Sequence, residues 1–239
     1  MLHRTEGIVL KTITFGEADL IVTYLTADYG IVKAFAKSPR KIKSRFGSSL
    51  EPLTHASISF WGKEDAALPR LTQSDIIYPF DAVRSALRCF LKVSEMIELT
   101  LHFVPERERN RKVYSFLLEA LHAAETDCDG GLFAVFYKLR LLDIVGYLPR
   151  LSGCGRCGKD GDSFYLSHGT VLCGACARGQ ESSLRLSPGT VSLYTSLRGW
   201  NFEKLNRLKP SESLVSGLSK VLDEHIRYIT ERNLRTKAF

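Results

Sequence analysis

The 239 residues contain no apolar run long enough to span a bilayer, no internal repeat and no low-complexity segment. The opening, Met1 to Thr12, lacks the basic and then apolar build of a secretory signal. These absences lead to the expectation of a cytosolic globular chain with reduced thiols, in which cysteines serve metals rather than bridges. Catalytic signatures are missing as well. No Gly-rich loop is followed by Lys and Ser or Thr, so a P-loop ATPase is excluded, and there is no His-Glu-x-x-His or Gly-x-Ser-x-Gly element. Glu106 and Glu108 alternate with Arg107 and Arg109, which reads as a solvated charged turn rather than a paired acid and base. A protein that is not an enzyme is expected.

Negative charge is the scarcer sign: 26 Asp and Glu stand against 33 Lys and Arg, a formal balance of +7. That balance favours a polyanionic partner, because each Lys or Arg set on a phosphate releases a bound counterion. The excess is concentrated. Between Tyr29 and Leu50 there is no acidic residue, while Lys33, Lys37, Arg40, Lys41, Lys43 and Arg45 fall within thirteen positions. Lys33 and Lys37 have the same parity on a strand and so share one face, and the other four sit in a loop spaced by Pro39, Ile42 and Ser44. Tyr29, Phe35 and Phe46 interleave with the cations, the pattern of a surface that stacks bases while holding a backbone. Lys33, Lys37, Arg40, Lys41, Lys43, Arg45 and Phe46 are therefore the candidate nucleic-acid-contacting residues, against the alternative of a solvated loop with Phe35 in the core.

From Thr5 to about Ile77 short Val-, Ile-, Thr-, Tyr- and Phe-rich runs alternate with Gly, Asp and Pro. The runs are Gly7 to Thr12, Leu20 to Thr26, Ile31 to Ala36, Ala56 to Trp61 and Arg70 to Ile76, with a hairpin turn at 27 to 30. Five strands in so short a stretch suit a small closed barrel of OB type better than a sandwich. After Pro79 the period becomes helical, with Val83, Leu87, Phe90, Ile97 and Leu101 on one face, then further stripes from Val113 to Leu121 and from Leu132 to Leu142, stopped by Gly146 and Pro149. Ser187-Pro188-Gly189 opens another helix, and a last one runs from about Ser211 to Asn233. The expected class is α+β: an OB barrel over 1–79, then a helical domain over 80–239 with a cysteine module at about 150–180.

That module carries two Cys-x-x-Cys pairs, Cys154/Cys157 and Cys173/Cys176. Two tight knuckles so spaced can each offer two thiolates to one tetrahedral zinc ion, a structural site with a closed coordination sphere. A catalytic zinc keeps a position for water, and nucleic-acid deaminases add a His or third Cys ligand and a nearby Glu. No Glu lies between the two pairs, and His168 is read as a hairpin residue. Gly153, Gly155, Gly158 and Gly174 are expected to let the knuckles turn. Cys89 and Cys128 have no cysteine partner at useful spacing and read as plain side chains.

Thr5-Glu-Gly-Ile-Val-Leu-Lys, Gly16-Glu-Ala-Asp, Leu25-Thr, Tyr29-Gly, the run from Ala36 to Gly47 and Leu50-Glu-Pro-Leu together resemble the opening of the RecO family of recombination mediators. The likeness continues through Gly146-Tyr147-Leu148-Pro149 and the four cysteines. It implies an N-terminal OB-fold, a helical domain and a zinc module. It further implies binding of single- and double-stranded DNA, annealing without nucleotide hydrolysis, and help to the recombinase in displacing single-strand-binding protein. The implied partners are RecR, in some species RecF, and the acidic tail of single-strand-binding protein, for which Arg140, Arg150, Arg227 and Arg232 are candidates by charge. Two rival readings are a zinc-ribbon accessory protein of transcription or the ribosome, which would not anneal strands, and a zinc hydrolase or nuclease, which needs an open metal site.

Overall fold

A computed structural model describes residues 1–39, 46–63, 66–128, 130–178, 183–205 and 207–231. Arg40, Lys41, Lys43, Arg45 and Arg232 lie outside the described residues. By internal contacts the chain divides into two compact units, Met1–Thr126 and Asp127–Phe239.

In the first unit, β1 (Leu2–Phe15), β2 (Asp19–Thr26), β3 (Gly30–Ala36), β4 (His55–Trp61) and β5 (Arg70–Tyr78) close into a barrel of order β1-β2-β3-β5-β4. Neighbours are antiparallel except β3 and β5, which run parallel and register at Phe35 and Arg70. Period-two alternation turns Val22 and Tyr24 of β2, Val32, Ala34 and Ala36 of β3, and Ile58 and Phe60 of β4 into one core. Phe46 and Leu50, from the connection between β3 and β4, fill the same core. The expected strands are all present. β1 is longer than its own pattern suggested, because it serves two partners: its first half pairs with β4 and its second with β2, with a register irregularity between Val9 and Lys11. The hairpin turn ends at Gly30, whose positive φ and contact with Glu108 exclude a side chain; a Cβ there would lie 2.1 Å from the Glu108 carbonyl oxygen.

Three helices complete this unit: α1 (Asp81–Ser85), α2 (Leu87–Phe103) and α3 (Arg111–Thr126). The helix expected from Val83 onward is broken at Ala86, which is extended. Arg84 is held by the Pro52 carbonyl and the Thr54 hydroxyl, which fixes the short α1 against the β3–β4 connection and leaves α2 to start afresh.

The second unit is built on α4 (Gly131–Val145), α5 (Pro188–Arg198), α6 (Phe202–Leu205) and α7 (Glu212–Thr230). α4 stops at Gly146 in the left-handed region, where Tyr147 donates its N–H back to the Leu142 carbonyl, as the Gly-Tyr-Leu-Pro stop predicts. Ser187 caps α5 by accepting the Thr190 N–H at 3.1 Å. Apolar faces meet between α4 and α7, and the buried Lys138 of α4 reaches Asp223 of α7 at 2.9 Å. Between α4 and α5 stands a feature the sequence did not disclose: a three-stranded sheet of order β7-β6-β8, from β6 (Ser163–Tyr165), β7 (Thr170–Leu172) and β8 (Leu184–Arg185). Among the described residues no helix is long and apolar enough to cross a membrane.

Candidate nucleic-acid interface and metal centre

Register around the barrel determines which outward side chains stand together. Ile13 of β1 faces Ile21 of β2, which faces Phe35 of β3. Phe35 registers with Arg70 of β5, Arg70 with Trp61 of β4, and Trp61 with Leu2 of β1. The row is unusually open for its composition, with Trp61 61%, Phe15 52% and Ile13 46% exposed. The Phe15 and Phe35 rings meet edge to face at 5.9 Å. Lys11, Lys33, Lys37 and Arg70 are exposed cations on the same strands. The row circles the closed barrel: Phe15 and Phe35 meet on the side that carries Lys33 and Lys37, Arg70 follows, and Trp61 and Leu2 lie further round.

Lys33 and Lys37 lie outward together on β3 and at its end, as their parity required. Arg40, Lys41, Lys43 and Arg45, which continue the basic run, are outside the described residues. Phe46 is corrected. It is 3% exposed and packs in the barrel core, so its ring is not available to a base. Tyr29 is half-buried, held edge-on by His3 and Phe60. The rings that face outward are instead Phe15, Phe35 and Trp61. No local signal marked Phe15 or Trp61, because their neighbourhood is a product of strand pairing.

The segment after α2 is the exposed charged turn that the sequence suggested, and it also joins the barrel: Glu106 forms a parallel bridge to Ile31 of β3, with the Arg107 N–H on the Ile31 carbonyl at 3.0 Å. The Glu106 carboxylate accepts from Lys33 Nζ, and Arg109 pairs with Asp28 at 3.2 Å.

In the second unit the Sγ atoms of Cys154, Cys157, Cys173 and Cys176 all lie within 4.8 Å of one another. The Cys157 and Cys173 sulfurs are 3.6 Å apart. That is close to the edge of a thiolate tetrahedron around zinc, about 3.8 Å for metal–sulfur bonds of about 2.3 Å. Each pair forms a tight turn: Gly158 donates to the Cys154 carbonyl at 2.8 Å, and Cys176 and Ala177 donate to the Cys173 carbonyl at 3.0 and 2.9 Å. Arg156 of one turn donates to the Cys176 carbonyl of the other at 3.0 Å. Amides aimed at sulfur favour the thiolate: the backbone N–H of Cys173 leads in lowering Cys154 to about 6, and that of Cys176 in lowering Cys173. Gathering the sulfurs has the opposite effect on Cys176, which Cys157 and Cys173 push up to about 12. Such a set cannot carry four negative charges alone and suits a divalent cation at its centre. Gly153 and Gly158 take positive φ as expected, whereas Gly155 is needed for space, since a Cβ would meet Thr170 Oγ1 at 2.5 Å. His168 lies in the 3₁₀ turn between β6 and β7 and is not part of the cluster.

All four of these thiols are free. Cys89 and Cys128, read from the sequence as plain side chains, are not free thiols. Of the candidate arginines for an acidic tail, Arg140 bonds Asp143 and the Arg198 carbonyl, Arg227 bonds Glu224, and Arg150 is exposed.

Two family models account for nearly the whole chain. Recombination protein O N terminal matches residues 1–80, and Recombination protein O C terminal matches residues 89–238. The chain belongs to the RecO family. Full-length relatives agree with this RecO assignment. The DNA repair protein RecO of Thermodesulfovibrio yellowstonii is 43% identical, over 95% of this chain and 92% of its own. The proteins of that name from Heliobacterium modesticaldum and Symbiobacterium thermophilum are 33% and 30% identical, over 98% and 100% of this chain and 88% and 96% of theirs.

Proposed function

We propose that this RecO-family chain is a recombination mediator that binds single- and double-stranded DNA, anneals complementary strands and, with RecR, helps load the recombinase onto DNA coated with single-strand-binding protein. The observation that carries the reading is the outward barrel surface on which Phe15 and Phe35 meet among Lys11, Lys33 and Lys37, continued by Arg70 on β5 and Trp61 on β4. Strand order β1-β2-β3-β5-β4 supports an OB-fold over residues 1–79, whose strand 2–3 face is a common oligonucleotide surface. The proposed helical region, 80–239, takes in α1–α3, which fold within the barrel's compact unit, and the unit of residues 127–239 with the cysteine module at about 150–180.

Annealing here needs no chemical step. Cations neutralise phosphates on two strands and so lower their repulsion, while rings hold bases unpaired and available. The DNA-contacting set is Lys33, Lys37, Arg40, Lys41, Lys43 and Arg45, with Phe15, Phe35 and Trp61 in the stacking role first given to Phe46. Cys154, Cys157, Cys173 and Cys176 hold one structural zinc ion, which supplies local folding free energy and, with four sulfurs around it, no site for a reacting water. The protein is then a cytoplasmic, nucleoid-associated non-enzyme whose partners are DNA, RecR, the tail of single-strand-binding protein and, in some species, RecF.

The test is ATP-free annealing of complementary oligonucleotides coated with single-strand-binding protein. Wild type is compared with a variant carrying Arg40→Glu, Lys41→Glu, Lys43→Glu and Arg45→Glu. Annealing by the wild type alone supports the mediator. Annealing by neither transfers the reading to a zinc-ribbon accessory protein.

A further inference from the structure

We infer that Glu106 is a built-in phosphate competitor that weakens DNA binding at the edge of the barrel face; this rests on the DNA-binding reading of that face. Lys33 belongs to the outward row of β3 with Phe35 and, beyond it, Lys37. A phosphate backbone following that row would reach Lys33 first or last. Its ammonium is already engaged by the Glu106 carboxylate, from a residue 73 positions later in the chain.

The carboxylate is placed by backbone, not by chance encounter of two long side chains. Glu106 forms a parallel bridge with Ile31 two residues before Lys33, and Arg107 donates its N–H to the Ile31 carbonyl at 3.0 Å. One residue further, the Glu108 backbone packs so closely on Gly30 that position 30 admits no side chain. Arg107 itself is left-handed, at φ 65°, and its guanidinium donates to the Ala66 carbonyl, while Arg109 holds Asp28. Val104, 3% exposed, anchors the start of the segment. A carboxylate so fixed stands where a phosphate oxygen would otherwise accept from Lys33.

Stability does not explain the arrangement. The two side chains are 45% and 53% exposed, so the pair contributes little to folding. Its effect falls on binding. Phosphate must displace a carboxylate already in contact, and one cation releases no counterion until that happens. A mediator that passes strands onward is served by a contact that is easily exchanged.

The experiment is fluorescence-anisotropy titration of a labelled oligothymidylate with wild type, Glu106→Gln, Lys33→Gln and the double variant across a salt series, with melting temperature as the folding control. Glu106→Gln should raise affinity roughly three- to ten-fold at low salt and steepen the slope of log affinity against log salt by about 0.7, the contribution of one further phosphate contact with a single strand. In the Lys33→Gln background the same substitution should leave the slope unchanged. Wild-type-like affinity and slope in Glu106→Gln, or an equal gain without Lys33, overturns the inference while leaving DNA binding intact. Absence of salt-dependent binding in the wild type overturns the DNA reading and this inference with it.

Discussion

Removing one ring from the barrel face separates stacking from charge. Trp61 is 61% exposed and stands in register between Arg70 and Leu2. Trp61→Ala therefore deletes an outward ring and leaves Lys11, Lys33, Lys37 and Arg70 in place. A base stacked on an aromatic ring contributes roughly 1–3 kcal/mol, which converts to a loss of roughly 5- to 150-fold in single-strand affinity. Because no cation is removed, the salt slope should remain that of the wild type. Duplex affinity should hardly change, since paired bases do not expose their faces. An exposed side chain contributes little to folding, so the melting temperature should hold within the small range typical of surface changes. The assay is anisotropy with single- and double-stranded oligonucleotides of one sequence at three or more salt concentrations, supported by quenching of Trp61 fluorescence on single strands. Equal loss on both DNA forms, or none on either, refutes the stacking role.

The remaining predictions concern the fold around these sites. Phe46→Ala should destabilise the first unit by about 3–5 kcal/mol in denaturant unfolding, because it empties a place in the barrel core; loss of DNA affinity without loss of stability would return Phe46 to the surface role. Cys154→Ser should reduce bound zinc from one equivalent towards none and lower the melting temperature, measured by metal analysis and calorimetry; a fully loaded variant contradicts the four-thiolate site. Burial holds His225 below its ordinary value of 6.5, and its Nδ1 has no hydrogen-bond partner among the described residues while Nε2 meets the Tyr147 carbonyl at 2.9 Å. The unfolded chain then binds the extra proton first, so this contribution is complete above about pH 6.5 and declines as pH falls below it. The decline of melting temperature from pH 7 to 5 should be shallower in His225→Gln, and an unchanged decline would assign it elsewhere.

Much of this fold was legible because period and punctuation agree. Alternation placed all five barrel strands, and Gly146 and the Ser187-Pro188 cap placed helix ends that the structure reproduces. The two knuckles were legible because their ligand spacing is short-range. What escaped depends on distant partners. The extra length of β1 follows from having β4 on one half and β2 on the other. The sheet beside the cysteines has strands of three, three and two residues, too short to display a period. Phe46 misled because a ring among cations has the same sequence whether it points to solvent or into a core. Glu106 is exposed, as its charged turn suggested, but nothing near it in sequence names Lys33 as its partner.

The barrel's closing joint has a mechanical consequence. Among the described residues β3 and β5 register at a single pair, Phe35 and Arg70, beside the Phe35 N–H on the Pro69 carbonyl at 2.8 Å. A cylinder fastened by so short a seam opens there first, so amides on both margins should be among the earliest of the barrel to exchange their hydrogens. Both residues of the seam also face outward in the open row. On the proposed function, a nucleic-acid strand laid along that row would bridge the seam like a stitch and tie closure of the wall to its occupancy.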